Sequence, residues 1–314
     1  MSLVYPLVAP WGRFSLRSFF IDAPEPAIVD AGVTESPEAM RAQLESLGRR
    51  IEDVRWILLT HGHIDHLGGA YGLWELTDRK AEVVIHRADA PFLRSREAHV
   101  QEWRDGRGRW LPDPEGEAHE RALLAAAIGG EMEPTIAVSG GETFDLGGVP
   151  LSVHAIPGHT EGAVAYVLDE TRDVFVGDAV QAYGAASGFP GYEDPDRYRA
   201  SLEYLRDVIR PERLYLGHPY RRADGTAFPE VLDAVDARAA IEGSLEREAQ
   251  IRAAVMPHLA VGLAASEATS SPFEPVAAQL GYTGDPTLEP APFFTTMNGY
   301  VTHVGPAAEQ ESTR

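Results

Sequence analysis

The chain has 314 residues, 44% of them hydrophobic and 24% charged, which supplies apolar material for one large core or two smaller ones and excludes disorder as the main state. Its 27 Lys and Arg against 48 Asp and Glu leave a formal charge of −21, so its surface repels a phosphate backbone and nucleic acid is excluded as the expected substrate. The absence of cysteine removes disulfides, thiolate metal sites and a cysteine nucleophile together, leaving His, Asp and Glu to bind any metal.

The opening MSLVYPLVAPWGRFSLRSFF lacks the basic start and long apolar run of a secretory signal, and no segment approaches the ~20 apolar residues of a membrane span. The expectation is a cytoplasmic protein with no membrane partner. Residues 14–21 and 26–32 read as strands closed by a glycine turn; Ser36, Pro37 and Glu38 then open a helix as N-cap, N1 and first-turn acid, and Gly48 ends it. The apolar run 54–60 reads as a buried strand that delivers the chain into HGHIDH (61–66), a loop ahead of a helix starting near Leu67. After a strand at 81–86 the periodicity breaks over 92–134, a stretch of turn residues, arginines and one helical patch that reads as an inserted lid. β signals return at 149–156, 162–169 and 172–178, with a hairpin at 169–172. An amphipathic helix follows over 196–209, then a buried strand at 213–219, then a helical segment over 229–260. Beyond 261 the composition turns to Ala, Ser, Thr and Pro, with a weak helix near 273–280 and an apolar end of open class. The division expected is a catalytic domain over 1–260 and an extension over 261–314 packing on it.

His61 and His63, with one residue between them, can point both imidazoles the same way, and Asp65 and His66 extend the loop. Four potential ligands in six residues form a nitrogen and oxygen donor set that suits Zn²⁺, with Mn²⁺ or Fe²⁺ as alternatives. His86, His99, His119, His154, His258 and His303 carry no ligand spacing and read as surface or core residues.

At these residues the chain resembles the metallo-β-lactamase fold superfamily, whose hallmark is HxHxDH followed by single ligands in later loops, and the likeness covers most of residues 14–220. His159 in PGHT, Asp178 in VGD and His218 in LGHP correspond to the later ligands, and PAIVDAG resembles the strand and turn that precede the main motif. The resemblance implies an α+β fold, a four-layer αββα sandwich. It also implies one metal held by His61, His63 and His159, a second by Asp65, His66 and His218, and Asp178 between them. Two cations about 3.5–4 Å apart lower the pKa of a shared water from 15.7 to around 7. The implied activity is that of a dinuclear zinc hydrolase whose metal-bound hydroxide cleaves a small ester-like bond, a thioester, lactone or ester. Asp65 and Asp178 are its catalytic carboxylates, and Asp65 takes or passes a proton. A mononuclear iron persulfide dioxygenase, using His61, His159 and Asp178, is the alternative the resemblance carries.

Specificity must come from loops, because the superfamily serves many substrates with nearly one metal site. Lactonase-like relatives place a tyrosine three residues after the bridging aspartate, where this chain has Gln181, with Tyr183 two residues on. Glyoxalase-II-like thioesterases share the start seen at Thr60 to His66, and their tyrosine after the last motif has a counterpart in Tyr220. Trp103 and Arg107, in the cluster Trp103 to Trp110, read as a cover for an acyl group and a hold for its anion; a surface turn whose arginines pair with nearby acids is the plainer reading. Arg221 is a second candidate anion anchor. The expected partner is a small-molecule substrate, and a homodimer is an option for the assembly.

Overall fold

Alternating apolar residues draw the chain into two six-stranded sheets. The computed structural model describes residues 3–305 apart from 13, 112, 186–187, 267, 269 and 285–291. The first sheet runs in chain order from β1 (Val4–Trp11) through β2 (Phe14–Ile21), β3 (Ala27–Val29), β4 (Trp56–Leu58) and β5 (Glu82–His86) to β6 (Ile136–Val138). Its first three strands pair antiparallel and the rest parallel. The second sheet comprises β7 (Thr143–Asp145), β8 (Pro150–Ala155), β9 (Val164–Leu168), β10 (Asp173–Phe175), β11 (Arg213–Tyr215) and β12 (Leu232–Asp233), also in chain order and antiparallel except between β10 and β11.

Each central strand is buried on both faces, so alternate residues serve two different cores. Phe19, Val29, Leu58 and Val84 meet Val153, Tyr166, Phe175 and Tyr215 between the sheets, where Phe175 stacks on Tyr215 with ring centroids 4.6 Å apart. The intervening Ile28, Ile57, Val83 and Ile85 face outward onto helices that include α1 (Ser36–Ser46), α2 (Ile64–Leu67) and α3 (Ala70–Leu76). This outer layer also holds α4 (Ala90–Arg94), α5 (Arg96–Asp105) and α6 (Gly116–Ala127). On the other side Ala165, Val167, Val174 and Leu214 pack under α7 (Pro195–Tyr204), α8 (Ala234–Val261), α9 (Glu274–Leu280) and α10 (Pro292–Gly299). The layers therefore run helix, sheet, sheet, helix, the four-layer αββα sandwich expected. No helix among the described residues is long and apolar enough to cross a membrane.

Several local expectations need correction. Strand β1 escaped the periodicity because Pro6 and Pro10 interrupt it. As a sheet edge it tolerates both, and the Gln43 amide of α1 bonds the Val8 N–H and carbonyl at 3.0 and 3.1 Å. The helix placed near Leu67 begins at Ile64, so Asp65 and His66 lie on its first turn. Ser36 is the first residue of α1 rather than its N-cap, and its hydroxyl accepts from the Val33 N–H at 3.0 Å. The segment 92–134 is mainly helical. Its polar α5 buries only His99 and Val100, while α6 buries Gly116, Glu120, Leu124 and Ala127 along one stripe. Ion pairs Arg104–Glu117 at 2.7 Å and Arg121–Glu97 at 2.8 Å join the two helices. The apolar end is helical, with Phe293, Phe294, Met297 and Tyr300 in the same core as α8 and Phe273. Residues 285–291 and 306–314 of the proposed extension lie outside the described residues.

Candidate metal centre

The seven ligand candidates all sit in segments that follow strands. His61 to His66 follow β4 and enter α2, His159 follows β8, Asp178 follows β10 and His218 follows β11. The structure brings all of them together. His61 Nε2 lies 3.2 Å from His159 Nε2, with His63 packed edge-on against both rings at centroid distances of 4.8 and 4.6 Å. His218 Nε2 lies 3.1 Å from Asp65 Oδ2 and 3.3 Å from Asp178 Oδ2, and His66 Nε2 lies 3.4 Å from Asp178 Oδ1. The sets His61/His63/His159, His61/His66/Asp178 and Asp65/His66/His218 each bring their ligand atoms within 4.8 Å of one another.

Hydrogen bonds behind the rings decide which nitrogens face inward. His66 Nδ1 lies 2.8 Å from Asp30 Oδ2, His159 Nδ1 lies 2.7 Å from the Gly191 carbonyl, and His218 Nδ1 lies 3.3 Å from the Ser15 carbonyl. Each of these oxygens only accepts, and the Gln181 amide nitrogen 2.9 Å from His159 Nδ1 directs its two hydrogens to the Asp178 and Gly191 carbonyls, so each Nδ1 carries the proton. The Thr60 hydroxyl donates to Asp30 and thus receives the His61 Nδ1 proton at 3.0 Å. Four imidazoles are thereby set with Nε2 lone pairs toward one point, the arrangement that orients histidine ligands. Small residues make room for it. A Cβ on Gly217 would fall 2.5 Å from Asp178 Oδ1, and one on Gly177, at φ +50°, would fall 2.2 Å from the Thr60 hydroxyl.

The charge balance calls for cations. Burial, then His66, His159 and His63, holds His61 well below its ordinary pKa, and burial with His63 takes His159 down to about 3. Burial opposes charge on His218 too, but Asp178 and Asp65 override it and push the ring up to about 10. Asp178 stays ionised well below the usual carboxylate range because His218 and His66 outweigh its burial. His66 Nε2 and Asp178 Oδ1 are buried without a hydrogen-bond partner. Without cations, only protons on these rings balance the carboxylates. The residues present fit a pair of divalent ions, and protons would compete with metal for the same nitrogens.

A cavity of about 620 Å³ opens beside the cluster. Of the substrate-side candidates, Trp103, Arg107 and Tyr220 line it, whereas Tyr183 and Arg221 do not. Trp103 rests against Gly108 and Gly116, and Arg107 Nη2 stands 3.7 Å from Glu120 Oε2. Buried Tyr220 lies edge-on to His218 at 5.8 Å. The Tyr183 ring lies under the Arg247 guanidinium at 5.6 Å, and Arg221 is exposed, its backbone bridging Ala182 and Ala227. Residues without a sequence signal also face the cavity. Glu102 Oε1 stands 3.8 Å from His63 Nε2, with Glu193 completing a cluster of the three, and Asn298 of α10 accepts from Trp110 Nε1 at 3.0 Å. Asp30 and Thr60 lay in motifs already noted, yet nothing local marked their role behind the rings.

The family model described as the metallo-beta-lactamase superfamily matches residues 18–218. A hydroxyacylglutathione hydrolase of Ruegeria pomeroyi is 32% identical over 203 residues, 65% of this chain and 61% of that protein. Another of that name, from Acidiphilium cryptum, is 30% identical over 231 residues, 73% of this chain and 74% of its own length. The chain thus spans between three-fifths and three-quarters of these relatives. Among solved structures, a metallo-beta-lactamase family protein of Thermus thermophilus superposes with a TM-score of 0.65 at 22% identity, covering 96% of this chain and 94% of the other.

Proposed function

Because the chain belongs to the metallo-beta-lactamase superfamily, we propose that it is a dinuclear zinc hydrolase acting on a small thioester or a related lactone or ester. The observation that carries the reading is the set of four Nε2 lone pairs fixed from behind and converging on Asp178. In this assignment His61, His63 and His159 hold one ion, Asp65, His66 and His218 hold the other, and Asp178 lies between. Its Oδ2 faces His218 and His159 at 3.3 and 3.9 Å while its Oδ1 faces His66. Imidazole and carboxylate donors favour Zn²⁺, with Mn²⁺ and Fe²⁺ as lesser fits. Two such ions, when bound, supply an activated water near neutral pH and polarise the carbonyl under attack.

The chain's own groups do the rest. Asp65 is the group assigned to take a proton from the attacking water and deliver it to the leaving group; His66 and His218 outweigh its burial and hold it ionised below its usual range, so it enters the reaction as a proton acceptor, though a weakly basic one. Burial first, then Asp178 and Asp65, keeps the Tyr220 hydroxyl protonated, a hydrogen-bond donor on the cavity wall. Phe92, Trp103, Leu123 and Phe189 give the acyl portion an apolar enclosure. Thioesters lead because the relatives at about 30% identity carry a thioesterase name. The test is elemental analysis of purified protein with thioester, lactone and ester assays before and after chelation. Two zinc ions per chain and a thioesterase activity lost and regained with zinc are expected. One iron per chain with oxygen consumed on a persulfide would replace the reading by the iron oxygenase.

A further inference from the structure

Asp89 is fully buried in the turn that enters α4, at a position where an aspartate ordinarily caps its own helix. Asp194 and Asp233 do so at α7 and α8, each accepting from two backbone N–H groups of the first turn. Asp89 makes no such bond. Its carboxylate is turned instead into the gap between two loops. Oδ2 accepts from the Gly62 N–H and the Thr160 hydroxyl, both at 2.7 Å, and Oδ1 accepts from the Gly162 N–H at 2.8 Å.

These partners are not scattered. Gly62 separates His61 from His63, and Thr160 follows His159 directly. Both glycines are required at the clamp, since a Cβ on Gly162 would fall 2.3 Å from Asp89 Oδ1 and one on Gly62 would fall 2.6 Å from the Phe92 ring. We propose that Asp89 is a positioning residue that locks the His61-Gly62-His63 loop to the His159-Thr160 loop and so sets the affinity of the three-histidine ion, but not that of its neighbour. The neighbouring set has its own support, because Asp30 bonds His66 directly and the Ser15 carbonyl bonds His218. A helix cap is forgone in favour of three hydrogen bonds across 27 to 73 residues of chain, which is the cost of joining ligands that arise from different sheets.

The proposal rests on the two-ion reading, and its test separates the two. Asp89→Asn replaces one accepting oxygen by a donor facing donors, while Thr160→Val removes one bond at nearly constant volume. Parent and variants, labelled with ¹⁵N in histidine, are titrated with Zn²⁺ against a competing chelator, and folding is followed by circular dichroism. Replacing this buried charge-assisted acceptor by a donor is expected to cost roughly 10- to 100-fold in metal affinity at the set it holds. In Asp89→Asn, His61, His63 and His159 nitrogens are therefore expected to stay metal-free at zinc concentrations that saturate the parent, while those of His66 and His218 are bound. Thr160→Val should show the same selectivity at roughly 5-fold, the loss of one hydrogen bond. It decides the matter alone if Asp89→Asn does not fold. Equal weakening at both sites, or none, refutes the role of Asp89. A parent that binds fewer than two ions refutes the dinuclear reading and this role with it.

Discussion

Asp30→Asn tests the logic of the centre with little collateral damage. Asp30 sits at φ +60°, a conformation asparagine accepts readily, so the backbone is not strained by the change. Oδ1 receives the Thr60 N–H at 2.8 Å and the Thr60 hydroxyl at 3.0 Å, and Oδ2 faces His66 Nδ1 at 2.8 Å. An asparagine that keeps its oxygen on Thr60 must place its NH₂ against His66 Nδ1. That nitrogen then has to accept, and the ring's remaining proton moves to Nε2, where it points at the carboxylates and blocks the ligand lone pair. Binding an ion through His66 would require restoring the original tautomer against a facing donor. The lost charge-assisted hydrogen bond is worth about 1.5–3 kcal/mol, which converts to roughly 10- to 150-fold in zinc affinity. Chelator competition on parent and variant measures it, with circular dichroism to verify the fold. An Asp30→Asn protein binding both ions within twofold of the parent would refute the claim that the outer hydrogen bonds set the inward lone pairs.

Three further outcomes are expected. Trp110→Phe deletes the bond to Asn298 that ties the helical insert to α10, and should raise KM several-fold with little change in kcat, read from steady-state kinetics; an unchanged KM would show that the tie does not shape the cavity. Phe293→Ala empties a buried site stacked on Tyr282 at 4.5 Å and should cost about 3–5 kcal/mol, a melting temperature roughly 5–8 °C lower by calorimetry. His99 is taken down to about 4, first by burial. The unfolded chain binds that proton near pH 6.5, so the stability this ring contributes is complete above 6.5 and is lost as pH falls toward 4. In metal-free protein, His99→Gln should flatten the denaturation free energy between pH 6.5 and 4.5 by about 2 kcal/mol relative to the parent, and parallel profiles would refute the assignment.

What was legible in the chain was what is local. Four ligands within six residues need no tertiary knowledge, and His159, Asp178 and His218 each stand in a short turn after an apolar run. Their supports are not local: Asp89 reaches Gly162 across 73 residues and Asp30 reaches His66 across 36. Proximity in sequence also misled. Tyr183 and Arg221 lie close to ligands, yet the Tyr183 ring packs under Arg247 while its neighbours Gln181 and Ala185 line the cavity, and Arg221 emerges on the surface. The helical insert was hidden because α5 keeps nearly all of its side chains in partial or full contact with water, leaving too few apolar positions to show a period.

The outer margin of β1 has a bearing on how copies of this molecule meet. Along an antiparallel edge every second residue turns its N–H outward, and here those positions include Pro6, Val8 and Pro10. Two have no N–H to offer, and the third is occupied on both its N–H and its carbonyl by Gln43. The longest margin of the first sheet is therefore short of free N–H groups to offer a foreign strand, which weakens it as a template for edge-to-edge pairing through three residues of the strand and one helical amide. Gln43→Ala with Pro6→Val would return two N–H groups to that margin.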